Sequence, residues 1–110
     1  MIDQERVKQL EADFGAEDLG DLIEVFLAET WEGLDTLEGL IAGGDPGALR
    51  DQFHFLKGCA RNVGANAFAD KCEQFESGQA AATMTDFHGL RNDFQAVCDW
   101  FSSGGLQQSA

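Results

Sequence analysis

The sequence predicts an all-α domain, and three observations carry that prediction. Apolar residues recur at three- and four-residue spacings over several separate stretches, the mark of helices with one buried stripe. No stretch alternates apolar and polar residues in the manner of a strand. Helix stop and start signals separate the stretches: Gly15, Gly43-Gly44-Asp45-Pro46, Gly64 and Thr83-Met84-Thr85-Asp86. The connections around residues 43–45 and 64–66 are short and favour antiparallel neighbours. The expected architecture is therefore an antiparallel up-down-up-down four-helix bundle with a short additional N-terminal helix. Residues 1–102 are expected to form it, and the Ser/Gly/Gln-rich residues 103–110 to be a flexible tail.

The elements follow in order. Ile2, Val7, Leu10 and Phe14 make a short amphipathic helix that Gly15 ends. Residues 18–41 carry the longest pattern, with Leu19, Leu22, Ile23, Phe26, Leu27, Leu34, Leu37 and Ile41 inward. Glu24, Glu29, Glu32, Asp35 and Glu38 cover the remainder as a solvated face. Gly33 lies in the interior and permits close packing or a slight bend. Asp45 as N-cap and Pro46 as first residue open the next helix. Its stripe is Leu49, Phe53, Leu56, Ala60 and Val63, and Gly64 supplies the left-handed residue that ends it. Asn66 is read as N-cap of a helix carrying Phe68, Cys72 and Phe75, weakening at Gly78. Ala80-Ala81-Ala82 extends that helix or connects it onward. Thr83 to Asp86 is a capping box for a last helix with Phe87, Leu90, Phe94, Val97 and Phe101 inward. Nine phenylalanines and no tyrosine suit a core of aromatic wedges with no hydroxyls to satisfy.

A length of 110 residues fits one domain. A formal charge of −13 argues against nucleic acid and against anionic membranes, because phosphate contacts need Lys and Arg. No apolar run is long enough to span a bilayer and the N-terminus lacks a signal-peptide pattern, so a cytoplasmic protein is expected. Cys59, Cys72 and Cys98 are odd in number and lack metal-ligand spacing, which reads as reduced thiols in a core. No metal site is expected. Asp51 and His54 have a Glu-x-x-His-like separation, but Asp51 points away from the core stripe. No glycine loop that could cradle nucleotide phosphates precedes a helix, so no ATP-dependent kinase activity of its own is expected.

The seven Lys and Arg are unevenly spread, and three share one helix flank with a histidine. With the core stripe at zero, Arg50, His54, Lys57 and Arg61 fall roughly 80° to 140° round the helix, and Gly58 about 180°. A mid-helix glycine costs about 1 kcal/mol against alanine. Gly58 points away from the core, so access to His54 for a large partner is the better reason for it. A neutral imidazole nitrogen is a nucleophile towards phosphorus. Lys57 and Arg61 could offset the charge of a phosphoryl group held there.

These residues bring a family into view. His54-Phe55-Leu56-Lys57-Gly58, followed by Ala60-Arg61-Asn62-Val63-Gly64-Ala65, closely resembles the signature of histidine-containing phosphotransfer (HPt) domains, the carrier modules of two-component phosphorelays. Cys72 and Glu76 match a looser pair of positions on the next helix. The resemblance implies that His54 accepts the phosphoryl group, that Lys57 lies beside it and that Gly58 leaves room for the partner; Arg61 and Arg50, on the same cationic flank, are expected to contribute to partner binding. Its implied partners are response-regulator receiver domains, a hybrid sensor histidine kinase, or both. No cofactor is implied beyond Mg²⁺ supplied by the receiver. Phe55 and Cys59 depart from the small residues common at their positions, and Phe55 is expected to pack against a neighbouring helix and to influence partner preference.

The implied function is a phosphorelay carrier that takes the phosphoryl group from one aspartyl-phosphate receiver and passes it to another. The alternative is an interaction module that docks a receiver or kinase without accepting phosphate. His88 is an internal control. It also follows a core phenylalanine and has Arg91 three residues on, but Asn92 stands where Gly58 stands relative to His54. It reads as an ordinary surface histidine.

Overall fold

The computed structural model describes residues 2–78 and 82–105. Five α-helices occupy them: α1 (Gln4–Phe14), α2 (Ala16–Gly43), α3 (Pro46–Asn62), α4 (Asn66–Glu76) and α5 (Met84–Trp100). Helices α2 to α5 form the expected antiparallel bundle. Each packs on its neighbours in a ring, α2 on α3, α3 on α4, α4 on α5 and α5 on α2, while α1 lies on α2. Phe101–Gly105 continue as one π-helical turn. The expected tail begins inside that turn, and residues 106–110 lie outside the described residues. The alternatives for Ala80 and Ala81 also lie outside them.

The stripes close into one core. Val7, Leu10, Ile23, Leu34, Leu37, Phe53, Leu56, Ala60, Val63, Phe87, Phe94 and Val97 are all buried. Phe94 is wedged between Trp31, edge-on at 5.0 Å between ring centroids, and Phe68 at 5.3 Å. Phe53 stacks on Phe75 at 5.1 Å and joins α3 to α4 directly behind the cationic flank. Phe53, Phe68 and Phe94 are buried, and each contributes about 1.5–3 kcal/mol.

Three local devices fix α3. Asp45 caps its start, accepting from the Gly47 and Ala48 amides at 3.0 and 3.2 Å. At its end, the Ala65 amide donates to the Ala60 carbonyl and the Gly64 amide to that of Arg61, with Gly64 at φ 81°. That is a Schellman ending. It corrects the reading of Asn66 as an N-cap. The turn delivers Ala65 straight into the cap position of α4 with no side-chain bond, and Asn66 is the first helical residue. Its amide instead reaches the Asp3 carboxylate at 3.3 Å. Asp3 is the N-cap of α1, so that helix starts at Gln4, two residues later than its apolar pattern. At Gly33, α2 and α3 nearly touch: an added Cβ would lie 2.8 Å from Leu56 Cδ2.

Candidate functional site

The middle of α3 presents His54 outward, with 70% of its side chain exposed. Its Nδ1 lies 2.7 Å from Glu76 Oε1, at the last residue of α4. Hydrogen bonds from Lys57 and then His54 hold the Glu76 carboxyl below the usual carboxylate range, so it is ionised at neutral pH. An ionised carboxylate only accepts. Nδ1 of the neutral ring therefore carries the proton, and the Nε2 lone pair is left for a reaction partner.

The other oxygen of the same carboxylate, Oε2, accepts from Lys57 Nζ at 2.5 Å. Lys57 is far less open than the imidazole, with 14% of its side chain exposed. One carboxylate thus gathers both nitrogens. Lys57 stands one turn along α3 from His54 and is clamped against α4 instead of extending into solvent. An ammonium has three donors, and the bond to Glu76 uses one of them.

Gly58, one turn along from His54, faces open space: an added Cβ would meet nothing among the described residues within 4 Å. The backbone beside the imidazole is bare. Arg61 is half exposed and turns towards α4, with Nη2 3.4 Å from Glu73 Oε2 and 3.8 Å from Asp70 Oδ1. Arg50 is exposed, forms no ion pair among the described residues, and shares a groove of about 380 Å³ with Phe53, Phe75 and Glu76. The structure thus brings His54 and Lys57 together through Glu76, sets Gly58 next to them, and leaves Arg50 and Arg61 on the same flank but not in contact with the imidazole. Phe55 leans its ring edge over Gly33 of α2 yet stays 45% exposed. His88 is also exposed, but its ring has no hydrogen-bond partner among the described residues; it only tilts against Phe87 at 5.6 Å.

The sequence pattern points to Glu76 only as half of a matched pair with Cys72, with no role attached to it. A signal was present: Cys72 is a core residue of α4, and Glu76, one turn on, shares its side of the helix. Which α3 residues that side meets depends on the packing register of the two helices. The thiols are poor nucleophiles here. Burial, with Glu76 nearby, pushes Cys72 up to about 12, and burial also raises Cys59 and Cys98. Among the described residues no group of three or more His, Cys, Asp or Glu could hold a metal ion, and no helix is long and apolar enough to cross a membrane.

Comparison with known proteins places this geometry. The family model of the Hpt domain matches residues 21–100. No curated protein sequence matches. Among solved structures, the crystal structure of histidine-containing phosphotransfer protein B (HptB) from Pseudomonas aeruginosa PAO1 shares the fold, with a TM-score of 0.85. The match covers 97% of this chain and 95% of that one at 24% sequence identity. With its fold, its outward histidine and a family match over most of its length, the chain belongs to the Hpt domain family, the phosphotransfer carriers of two-component signalling.

Proposed function

We propose that His54 is the phospho-accepting residue and that the chain relays the phosphoryl group between receiver domains. The Nε2 lone pair attacks the phosphorus of a receiver's aspartyl phosphate. The N–P bond forms as the P–O bond to the aspartate breaks, and the carboxylate leaves with the electron pair. The ring, with a proton still on Nδ1, becomes cationic, and Glu76 stabilises it through the 2.7 Å contact. Lys57 directs a remaining donor at the phosphoryl oxygens. Transfer to a second receiver runs the same step in reverse. Positioning and electrostatics supply the catalysis, as phosphoryl transfer generally requires. The Mg²⁺ that such a step uses comes with the receiver. Donors and acceptors are receiver domains, free-standing or within a hybrid sensor kinase. The proposed setting is cytoplasmic, where three unpaired thiols stay reduced.

The observation that carries the reading is the pairing of an open imidazole with a carboxylate on one nitrogen only. The test is phosphotransfer from a ³²P-labelled receiver, followed on the chain. Label is expected on the wild type and on His88→Gln, and none on His54→Gln. Label retained by His54→Gln overturns the assignment. Receiver binding with no label on the wild type leaves the docking module as the function.

A further inference from the structure

The exposed arc of α3 has two flanks with opposite electrostatics. On one side of Gly58 stand His54, Lys57 and Arg61, and α4 answers their charge with Glu76, Glu73 and Asp70. On the other side, roughly 60° round the helix from Gly58, stands Phe55. It edges a groove of about 430 Å³ between α2 and α3, lined by Glu29, Glu32, Gly33, Thr36 and Gln52. Nothing answers the charge there. Glu29 and Glu32 are exposed and form no ion pair among the described residues, and no Lys or Arg lines the groove. The Gln52 side-chain amide donates one N–H to the Gly33 carbonyl at 2.8 Å, which ties the floor of the groove to α2. An aromatic ring 45% exposed beside two unpaired carboxylates is open on the side from which a visitor reaches Gly58.

We infer that this groove selects the partner: it takes a Lys or Arg of the docking receiver, whose aliphatic stem lies on Phe55 and whose charge meets Glu29 and Glu32. The occupant follows from complementarity. An apolar stem ending in a cation fits an aromatic wall with anions at the rim. An acidic or purely apolar segment would leave the carboxylates unanswered or desolvated. The inference rests on the proposed relay and deepens it, naming the receiver chemistry that the carrier accepts. The groove does not touch the reacting atoms, so it acts on encounter and docking and not on the transfer step.

The experiment uses the receiver that labels the chain fastest in the transfer assay, with wild type, Glu29→Gln/Glu32→Gln and Phe55→Ala compared at low and high salt. For both variants the second-order transfer constant is expected to fall about tenfold at 20 mM salt, with the saturating single-turnover rate unchanged. For Glu29→Gln/Glu32→Gln the deficit narrows at 500 mM salt, because the lost attraction is screened there in the wild type too. For Phe55→Ala it persists. Labelling of His54 by the small donor phosphoramidate should be the same in all three, which shows that the site is intact. A double carboxamide variant that exchanges with the receiver as fast as wild type at low salt overturns the inference while leaving the relay standing. A wild type that takes no phosphate from any receiver sinks the relay itself.

Discussion

Glu76 closes α4 with one oxygen 2.7 Å from His54 Nδ1 and the other 2.5 Å from Lys57 Nζ. The imidazole and the ammonium of α3 are therefore both held by a residue of the neighbouring helix. Their relative position depends on how α3 packs on α4 through Phe53 and Phe75. The carboxylate does two things at once: it selects the tautomer of the imidazole and it keeps the ammonium within a turn of it.

Removing that carboxylate separates the two effects. Glu76→Gln retains an acceptor for Nδ1–H but loses the charge that holds Lys57. Glu76→Ala loses both. Each loss is expected to slow transfer, Glu76→Gln by freeing the ammonium and Glu76→Ala by freeing the imidazole tautomer as well. Transfer from a labelled receiver should fall in the order wild type, Glu76→Gln, Glu76→Ala. Equal rates in all three would show that neither the tautomer nor the ammonium depends on Glu76.

The same pair of bonds sets a pH dependence. A carboxyl held below its usual value binds fewer protons folded than unfolded in the acid range, so its contribution to stability is present at higher pH and fades on acidification. It should be complete above the ordinary glutamate value of about 4.3 and disappear as pH falls through the lowered folded value. The difference in Tm between wild type and Glu76→Gln is the readout. The gap should close as pH falls below about 4.3; one that widens there contradicts the assignment.

Much of this molecule could be read from residue order, and the part that could not has a common cause. The stripes, the Asp45 cap, the Gly64 ending and the Thr83–Asp86 box are local, each decided within a turn or two of chain. That His54, Lys57 and Gly58 share one arc of α3 was legible for the same reason, since one helix fixes their angles. The Asn66 cap failed because Asp3, 63 residues away, competes for the asparagine. Glu76 escaped because its contacts with His54 and Lys57 cross helices, 22 and 19 residues apart in the chain. Phe55 was expected against a neighbouring helix and does reach α2 at Gly33, but nothing local to α3 says that nearly half of it stays open.

Two glycines at ordinary helical angles should respond oppositely to alanine. At Gly58 an added methyl meets nothing, so Gly58→Ala should stabilise the helix by about 1 kcal/mol while narrowing the landing patch beside His54. At Gly33 the methyl would meet Leu56 at 2.8 Å and Gln52 and Phe55 at 3.2 Å. Leu56 is fully buried and cannot swing away. The overpacking cost of about 1–3 kcal/mol outweighs the gain in propensity. Urea midpoints should therefore rise for Gly58→Ala and fall for Gly33→Ala. A rise in both would mean that α2 and α3 part easily.

Gly64 tests how firmly α1 holds the end of the site helix. Its φ of 81° costs an L residue about 1–2 kcal/mol, and a Cβ there would sit 2.8 Å from the Asp3 carbonyl oxygen. That oxygen cannot move freely, because the Asp3 amide donates to the Gly64 carbonyl at 2.7 Å and Arg6 Nε reaches the Asn62 carbonyl at 3.2 Å. Gly78 has a similar φ of 75°, but a Cβ there would meet nothing among the described residues within 4 Å. Gly64→Ala should thus lower the urea midpoint more than Gly78→Ala does. In a chain lacking residues 1–3 the clash disappears, and the two substitutions should then have nearly the same cost. If Gly64→Ala remains the more damaging of the two in the shortened chain, its extra cost comes from the turn itself and not from the α1 clasp.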